Sequence, residues 1–249
     1  MISGRVLLLL LMTGAGAAWS QDSKGYLVPA NQWSGFAEYS NDSSHIVLGV
    51  SENRKLAAVG GAYARRLLRT PVFTWQYLVE VRPFLLESDP VGYLQITPGP
   101  GSGNSPSQSV LSLQRSSDCF PVNETVTYTD PVTGQMVSFS VMQSCGRRWT
   151  YAAALSPLGQ KINFWPKRHL QPFAVGNAGF LVAAHPIPLE TARRFNFTFE
   201  FGAGLEWIYR PQRSVALEYR VHHISNDFTA ESNPGVDSGT LKVTYSFSR

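Results

Sequence analysis

Apolar and polar residues alternate with a period of two along most of this chain. Between 195 and 209 the odd positions include Phe195, Phe197, Phe199, Phe201, Leu205, Trp207 and Tyr209, against Asn196, Thr198, Glu200 and Glu206 at even ones. Between 213 and 221, Val215, Leu217, Tyr219 and Val221 alternate with Ala216, Glu218 and Arg220. The rhythm recurs in 72–86, where Phe73, Trp75, Tyr77, Val79 and Val81 interleave with Thr74, Gln76, Glu80 and Arg82. It recurs again in 238–247, where Leu241, Val243, Tyr245 and Phe247 interleave with Lys242, Thr244 and Ser246. Successive side chains on a strand point to opposite faces, so this period predicts strands with one apolar face. Strands are expected over 34–41, 56–68, 72–86, 149–158, 170–183, 195–209, 213–226 and 238–247. Many exceed the five or six residues usual in globular strands and suit the roughly 9–11 that a tilted membrane strand needs.

Two architectures share this alternation. In a soluble β-protein the apolar face is the core; in an outer-membrane barrel it meets lipid, and the charges pair inside. Aromatic residues gather at strand ends (Phe73 and Trp75, Trp149 and Tyr151, Phe164 and Trp165, Trp207 and Tyr209), as interfacial girdles do. Tight connections at Thr70-Pro71, 165–169 and 210–212 alternate with long ones at 42–55, 87–148, 184–194 and 227–237. Short turns on one side and long loops on the other follow the outer-membrane plan. The expected fold is therefore all-β: an eight-stranded antiparallel transmembrane β-barrel with long external loops and both termini on the short-turn side. The insert 87–148, rich in Gly, Pro, Ser and Thr, reads as an irregular external loop with a small hairpin near 124–142.

Composition narrows the choice. Charged residues are 15% against roughly 25% in ordinary soluble domains, while aromatics reach 12%. Residues 1–20 read as a signal peptide: Arg5, the apolar run Val6 to Met12, then small residues up to Ala18-Trp19-Ser20. Residues 21–249 would form the barrel domain. The two cysteines, Cys119 and Cys145, are expected to pair in an exported chain. A net charge of +4 is too mild to imply nucleic acid. Basic pairs at the long-loop ends, Arg54-Lys55, Arg147-Arg148 and Arg193-Arg194, suit either lipid phosphates or a solvated rim.

The chemistry gathers at "HHISN", residues 222–226. His223 and Ser225 share the odd parity of Val215, Leu217, Tyr219 and Val221, so they continue the apolar face at the external tip of that strand. Their Cα atoms would lie roughly 6.5–7 Å apart by the strand rise. A hydroxyl becomes a nucleophile beside a base, and the base needs an orienting acceptor. Asn233-Pro234-Gly235 is a turn signal, and Asp237 follows with the parity of Leu241, Val243 and Tyr245. The hairpin would bring Asp237 beside His223; Glu231, in mid-loop, is the competing acid. His222, of opposite parity, would point into the lumen with Glu218 and Arg220.

The segment "HHISNDFTAESNPGVDSGTLKVTYSF" resembles the C-terminal signature of the lipid A 3-O-deacylase (PagL) family: His-x-Ser-Asn, then an Asn and a Gly before an acid twelve positions beyond the Ser. "YAAALSPLGQKINF" and "RRFNFTFEFGAGLEW" resemble longer relatives termed acyloxyacyl hydrolases. The likeness covers 149–249 well, 34–86 loosely and 87–148 not at all. It implies an outer-membrane barrel that cleaves a fatty acyl ester of lipid A, the lipid part of lipopolysaccharide. It implies His223 as base, Ser225 as nucleophile, Asp237 as the imidazole's holder, Asn226 at the oxyanion hole and Asn233 in support. No cofactor or metal is called for. The chain departs from the family pattern in three places: Asp237 stands where Glu is usual, Asp227 and Phe228 follow the Asn where small residues are usual, and the end is Phe247-Ser248-Arg249 rather than an aromatic. Two alternatives stay open: a non-catalytic structural or adhesive outer-membrane barrel, and a soluble secreted barrel that holds a lipid.

Overall fold

The computed structural model describes residues 25–99, 107–113, 119–231 and 233–248. The expected signal peptide, 1–20, lies outside the described residues. Ten strands are present among them: β1 (Asn31–Ser40), β2 (Lys55–Arg69), β3 (Phe73–Pro98), β4 (Gln108–Leu113), β5 (Val122–Thr129), β6 (Met136–Phe164), β7 (Leu170–Ile187), β8 (Arg193–Arg210), β9 (Arg213–Ser225) and β10 (Val236–Phe247). Eight of them close a ring of antiparallel ladders, β1-β2-β3-β6-β7-β8-β9-β10, with β10 returning to β1. Closure leaves no open edge within the ring, as a strand structure in hydrocarbon requires.

The register sets which residues meet lipid. On β8 and β9 the odd positions face out: Leu205, Trp207, Leu217 and Tyr219 are each about half exposed, with apolar surface that only hydrocarbon would cover favourably. The inward positions of the ring strands, which are the even ones on β8 and β9, fill the lumen in layers. Phe36, Ala64, Leu78, Phe173 and Ala216 form a lower apolar layer, and Leu56, Leu85, Leu181, Ile187, Ile224 and Val236 an upper one. Between them lies a charged layer, which on β9 is Glu218 and Arg220. Arg220 reaches Glu80 at 2.9 Å and Glu200 at 2.8 Å; Arg82 reaches Glu38 at 2.6 Å; Lys242 reaches Glu80 at 2.7 Å. Buried charges are tolerated when paired in this way. A lumen cavity beside Phe36, Glu80 and Arg220 holds only about 20 Å³, room for no more than a water. The barrel is a packed cylinder, and its working surface is elsewhere.

The insert 87–148 corrects the expectation of an irregular loop. β3 and β6 run on past the barrel, paired continuously from Ser88↔Trp149 to Pro98↔Phe139, and β4 and β5 flank them as a four-stranded sheet. Pro90, Gly92 and Pro98 break the segment into runs too short to read as strand. A ladder already in register below extends through them without a new loop-closure cost. The hairpin near 124–142 is present as β5 and the start of β6, with Gly134 at φ 66° in its turn. Cys119 and Cys145 form a disulfide, Cα–Cα 5.7 Å, that ties the approach to β5 onto β6.

Candidate active site

The β9–β10 hairpin is in register with Asp237 directly opposite His223. Both are odd residues of the outer face. His223 Nδ1 lies 2.5 Å from Asp237 Oδ1. The shorter acid reaches the ring because the two residues are cross-strand partners, whose side chains start side by side. On its other side His223 leans on Phe199, ring centroids 5.1 Å apart, across the β8–β9 ladder.

Asp237 sits on the outer wall, yet its exposure is 0%. The cover is loop 41–54, between β1 and β2, which folds down over the hairpin. Asp237 Oδ2 accepts three backbone N–H bonds from it, from Val47 at 2.5 Å, Leu48 at 2.9 Å and Gly49 at 2.9 Å. The loop is laced to the hairpin backbone as well: Ser44 N–H donates to Asp237 O, Val50 N–H to Pro234 O and Ser51 N–H to Gly235 O. Gly49 is required by the close approach, since a Cβ there would lie 2.6 Å from Asp237 N and 2.9 Å from its Cγ. Gly235, φ 62°, makes the turn that leads into β10. Nothing in the alternation pointed to this loop. The signal available was the run Ile46-Val47-Leu48, apolar in a connection, closed by Gly49.

Ser225 ends β9 on the same outer face, half-buried. Its Oγ sits against the Asn233 side chain, donating to Oδ1 at 3.1 Å and accepting from Nδ2 at 2.9 Å. It also accepts from the backbone N–H of Asp227 at 3.2 Å. Among the described residues no hydrogen bond joins the His223 ring to Ser225 Oγ. Asn226 is buried, and its backbone N–H donates to Asn233 Oδ1 at 3.0 Å. Asp227 and Phe228 follow with φ of 51° and 56°, two successive non-glycine residues in the left-handed region. Such backbone costs about 1–3 kcal/mol per residue and persists where the surroundings impose it. Here it aims the Asp227 N–H at the hydroxyl. Glu231, the competing acid, stays in the 226–235 loop, and the imidazole's partner is Asp237. His222 faces the lumen, 3.6 Å from Glu200.

Leu48, Phe197, Phe199, His223, Ser225 and Asp227 line an open groove of about 310 Å³ on the outer wall. A second hollow of about 510 Å³ lies further along β8 and β9, bounded by Phe201, Ala203, Tyr219 and Val221 together with Ala174 of β7. The arrangement provides a base with its acceptor, a hydroxyl on the same face, N–H donors around that hydroxyl, and apolar relief alongside. Among the described residues no cluster of His, Cys, Asp and Glu is arranged to hold a metal ion.

A search among curated proteins returned no match. Among solved structures the chain is similar to the outer membrane enzyme PagL (11% identity, 87% of this chain and 99% of that one, TM-score 0.49). It is also similar to Neisserial surface protein A (9% identity, 88% and 97%, TM-score 0.40). Residues 137–246, which hold nearly all of β6 to β10 with His223, Ser225, Asn226, Asn233 and Asp237, match the model of the lipid A 3-O-deacylase (PagL) family.

Proposed function

We propose that this chain is an outer-membrane serine esterase that hydrolyses a fatty acyl ester of lipid A, with 3-O-deacylation as its reaction. The observation that carries the reading is the His223–Asp237 pair beside Ser225, on the outer wall of the barrel and open to an apolar groove. A base and hydroxyl on a lipid-facing surface have an evident use only if the lipid itself is the substrate. The family match over 137–246 supports that substrate.

The acyl chain would lie along the wall by Phe197, Phe199 and Phe201, placing the ester carbonyl at Ser225. Ser225 Oγ turns from Asn233 toward His223 Nε2, a contact of the kind that tightens once substrate is bound. Oγ attacks the carbonyl carbon as His223 takes its proton, and Asp237 holds the imidazolium through Nδ1. The developing oxyanion needs fixed donors; the Asp227 N–H and Asn233 Nδ2, already at the hydroxyl, are suited to that task, with Asn226 bracing Asn233 from behind. The tetrahedral intermediate collapses as His223 protonates the departing sugar oxygen, leaving an acyl-enzyme. Water, deprotonated by His223, then releases the fatty acid and restores Ser225.

The test is the mass spectrum of lipid A from cells that make the protein. Loss of one ester-linked acyl chain, absent in Ser225→Ala at equal barrel abundance, is the expected result. Unchanged lipid A with folded wild-type protein in the outer membrane would leave a non-catalytic barrel.

A further inference from the structure

We infer that the root of the β3–β6 extension is a positioning element for the candidate site, acting through Arg147 and Arg54 on the loop that holds Asp237. The kinetic side of this inference rests on the esterase reading; the structural side does not.

The chain of contacts is continuous. Loop 41–54 reaches Asp237 with three N–H groups at its tip, and its base must be fixed for those three donors to stay on one oxygen. The base is closed first on itself. Ser43 Oγ donates to Ser51 O at 2.8 Å and accepts from Arg54 N–H at 2.9 Å. Asn53 stands in the left-handed region at φ 54°, which turns its carbonyl and side chain toward the extension. Arg147 of β6 meets both: Nη2 donates to Asn53 O at 2.6 Å and Nη1 to Asn53 Oδ1 at 3.0 Å. The same guanidinium holds β3, donating to Ser88 Oγ at 2.7 Å and Ser88 O at 2.8 Å. Next to it Arg54, fully buried, donates from Nε to Asp89 Oδ1 at 3.2 Å and from Nη1 to Glu52 O at 2.6 Å. A planar guanidinium with five donors is suited to bracing two backbones at once.

The position of these residues ties the function to the extension. Ser88 is the last β3 residue paired with β2, opposite Lys55. Asp89 and its partner Arg148, and Pro90 and its partner Arg147, are the first rungs beyond the barrel rim. Strands of ordinary barrel length would end before offering either side chain. The Arg147 bonds to Asn53 and Ser88 and the Arg54 bond to Asp89 all lie below Gly92↔Cys145, so the anchoring is placed at the root of the extension.

The experiment compares wild type with Arg147→Ala in detergent micelles. Amide exchange of Val47, Leu48 and Gly49 is followed by NMR, alongside kcat and KM for lipid A. Loss of the two hydrogen bonds that hold Asn53 at the loop base, together with the two that tie the same guanidinium to Ser88, is expected to accelerate exchange at these three amides by about tenfold or more. Exchange within β9 and the ring part of β6 should stay at wild-type values. kcat is expected to fall about tenfold and KM to change by less than about twofold, because only Leu48 of the groove lining lies on the loosened loop. A retained heat-modifiable gel shift reports that the barrel is folded; if Arg147→Ala fails that check, Arg147→Lys, which cannot serve Asn53 and Ser88 together, takes its place with the same expectations. Wild-type exchange at the three amides in a folded variant overturns the inference, and so does faster exchange with unaltered kcat. If wild type itself has no activity, the esterase reading falls while the exchange measurement still decides the anchoring.

Discussion

Asp237→Asn is the substitution that separates orientation from mere presence of a polar group. Asp237 Oδ2 is encircled by the N–H groups of Val47, Leu48 and Gly49, three donors that accept nothing. An asparagine here must therefore turn its oxygen to the loop, since an NH2 group facing three N–H groups would meet only donors. Its NH2 then points at His223 Nδ1, where the carboxylate now accepts. That forces Nδ1 to act as acceptor and moves the ring proton to Nε2, the nitrogen that takes the proton of Ser225 in the proposed mechanism. The fold should survive, because size and loop contacts are kept. The reaction should not: the wrong tautomer in the serine-protease triad costs about 10⁴-fold in kcat, or about 5.4 kcal/mol at 1.36 kcal/mol per tenfold. The assay is the initial rate of fatty-acid release from lipid A in mixed micelles, joined to ¹⁵N spectra of the histidines to read the tautomer of His223. A rate within about tenfold of wild type, or a proton retained on Nδ1, would refute the reasoning.

Other substitutions test other links. Gly49→Ala puts a Cβ against Asp237 and must displace the loop; kcat should fall about 100-fold, the scale of a 1 Å misplacement, with the barrel's gel shift unchanged. Leu217→Arg, halfway along β9 on the outer face, should cost about 2–4 kcal/mol of stability in urea unfolding from vesicles, whereas a soluble barrel with water on that face would lose little. Replacing residues 92–145 by an Asn-Gly turn keeps Asp89, Arg147 and Arg148 and removes the upper sheet; wild-type kcat is the expected result, and a large loss would assign the upper sheet a part in the reaction.

Parity made much of the site legible. Because a strand alternates faces strictly, the odd numbers of His223, Ser225 and Asp237 place them on one wall, and a single hairpin turn at Asn233-Pro234-Gly235 leaves few registers to choose from. Ring closure was legible in the same way, from strands of matched length joined by alternately short and long connections. The cover over Asp237 was not. Its donors are backbone N–H groups, which every residue except proline carries, so residue identity says nothing about them. Only the apolar run Ile46-Val47-Leu48 and the Gly49 that closes it leave a trace, and such a run in a loop has many explanations. The orientation of Ser225 toward Asn233 was equally hidden, since Asn233, eight residues further on, takes the hydroxyl within a turn built on the positive φ angles of Asp227 and Phe228. The β3–β6 extension failed for a third reason: pairing with a long neighbour supplied the order that Pro90, Gly92 and Pro98 denied locally.

Where the site stands on the cylinder follows from the cost of polar groups in lipid. A charged residue on the outer face costs about 2–4 kcal/mol at the midplane but about 0–1 near the interface. A base, a hydroxyl and a carboxylate can therefore share the outer wall only at its lip, where β9 ends and β10 begins. Even there the carboxylate is the most expensive member, and it is the one the fold hides, at 0% exposure beneath loop 41–54. Ser225, the proposed nucleophile, remains half-buried at the groove, which His223 lines with it. The loop thus has two duties that pull in opposite directions. Its backbone must stay polar and fixed toward Asp237, while Ile46, Val47 and Leu48, exposed at its tip, face outward. An apolar tip on a rigidly anchored base meets both demands. The rim contacts of Arg54 and Arg147 then belong to the same design, because a loop free to lift would expose an ionised group to hydrocarbon and lose the imidazole's partner in one motion.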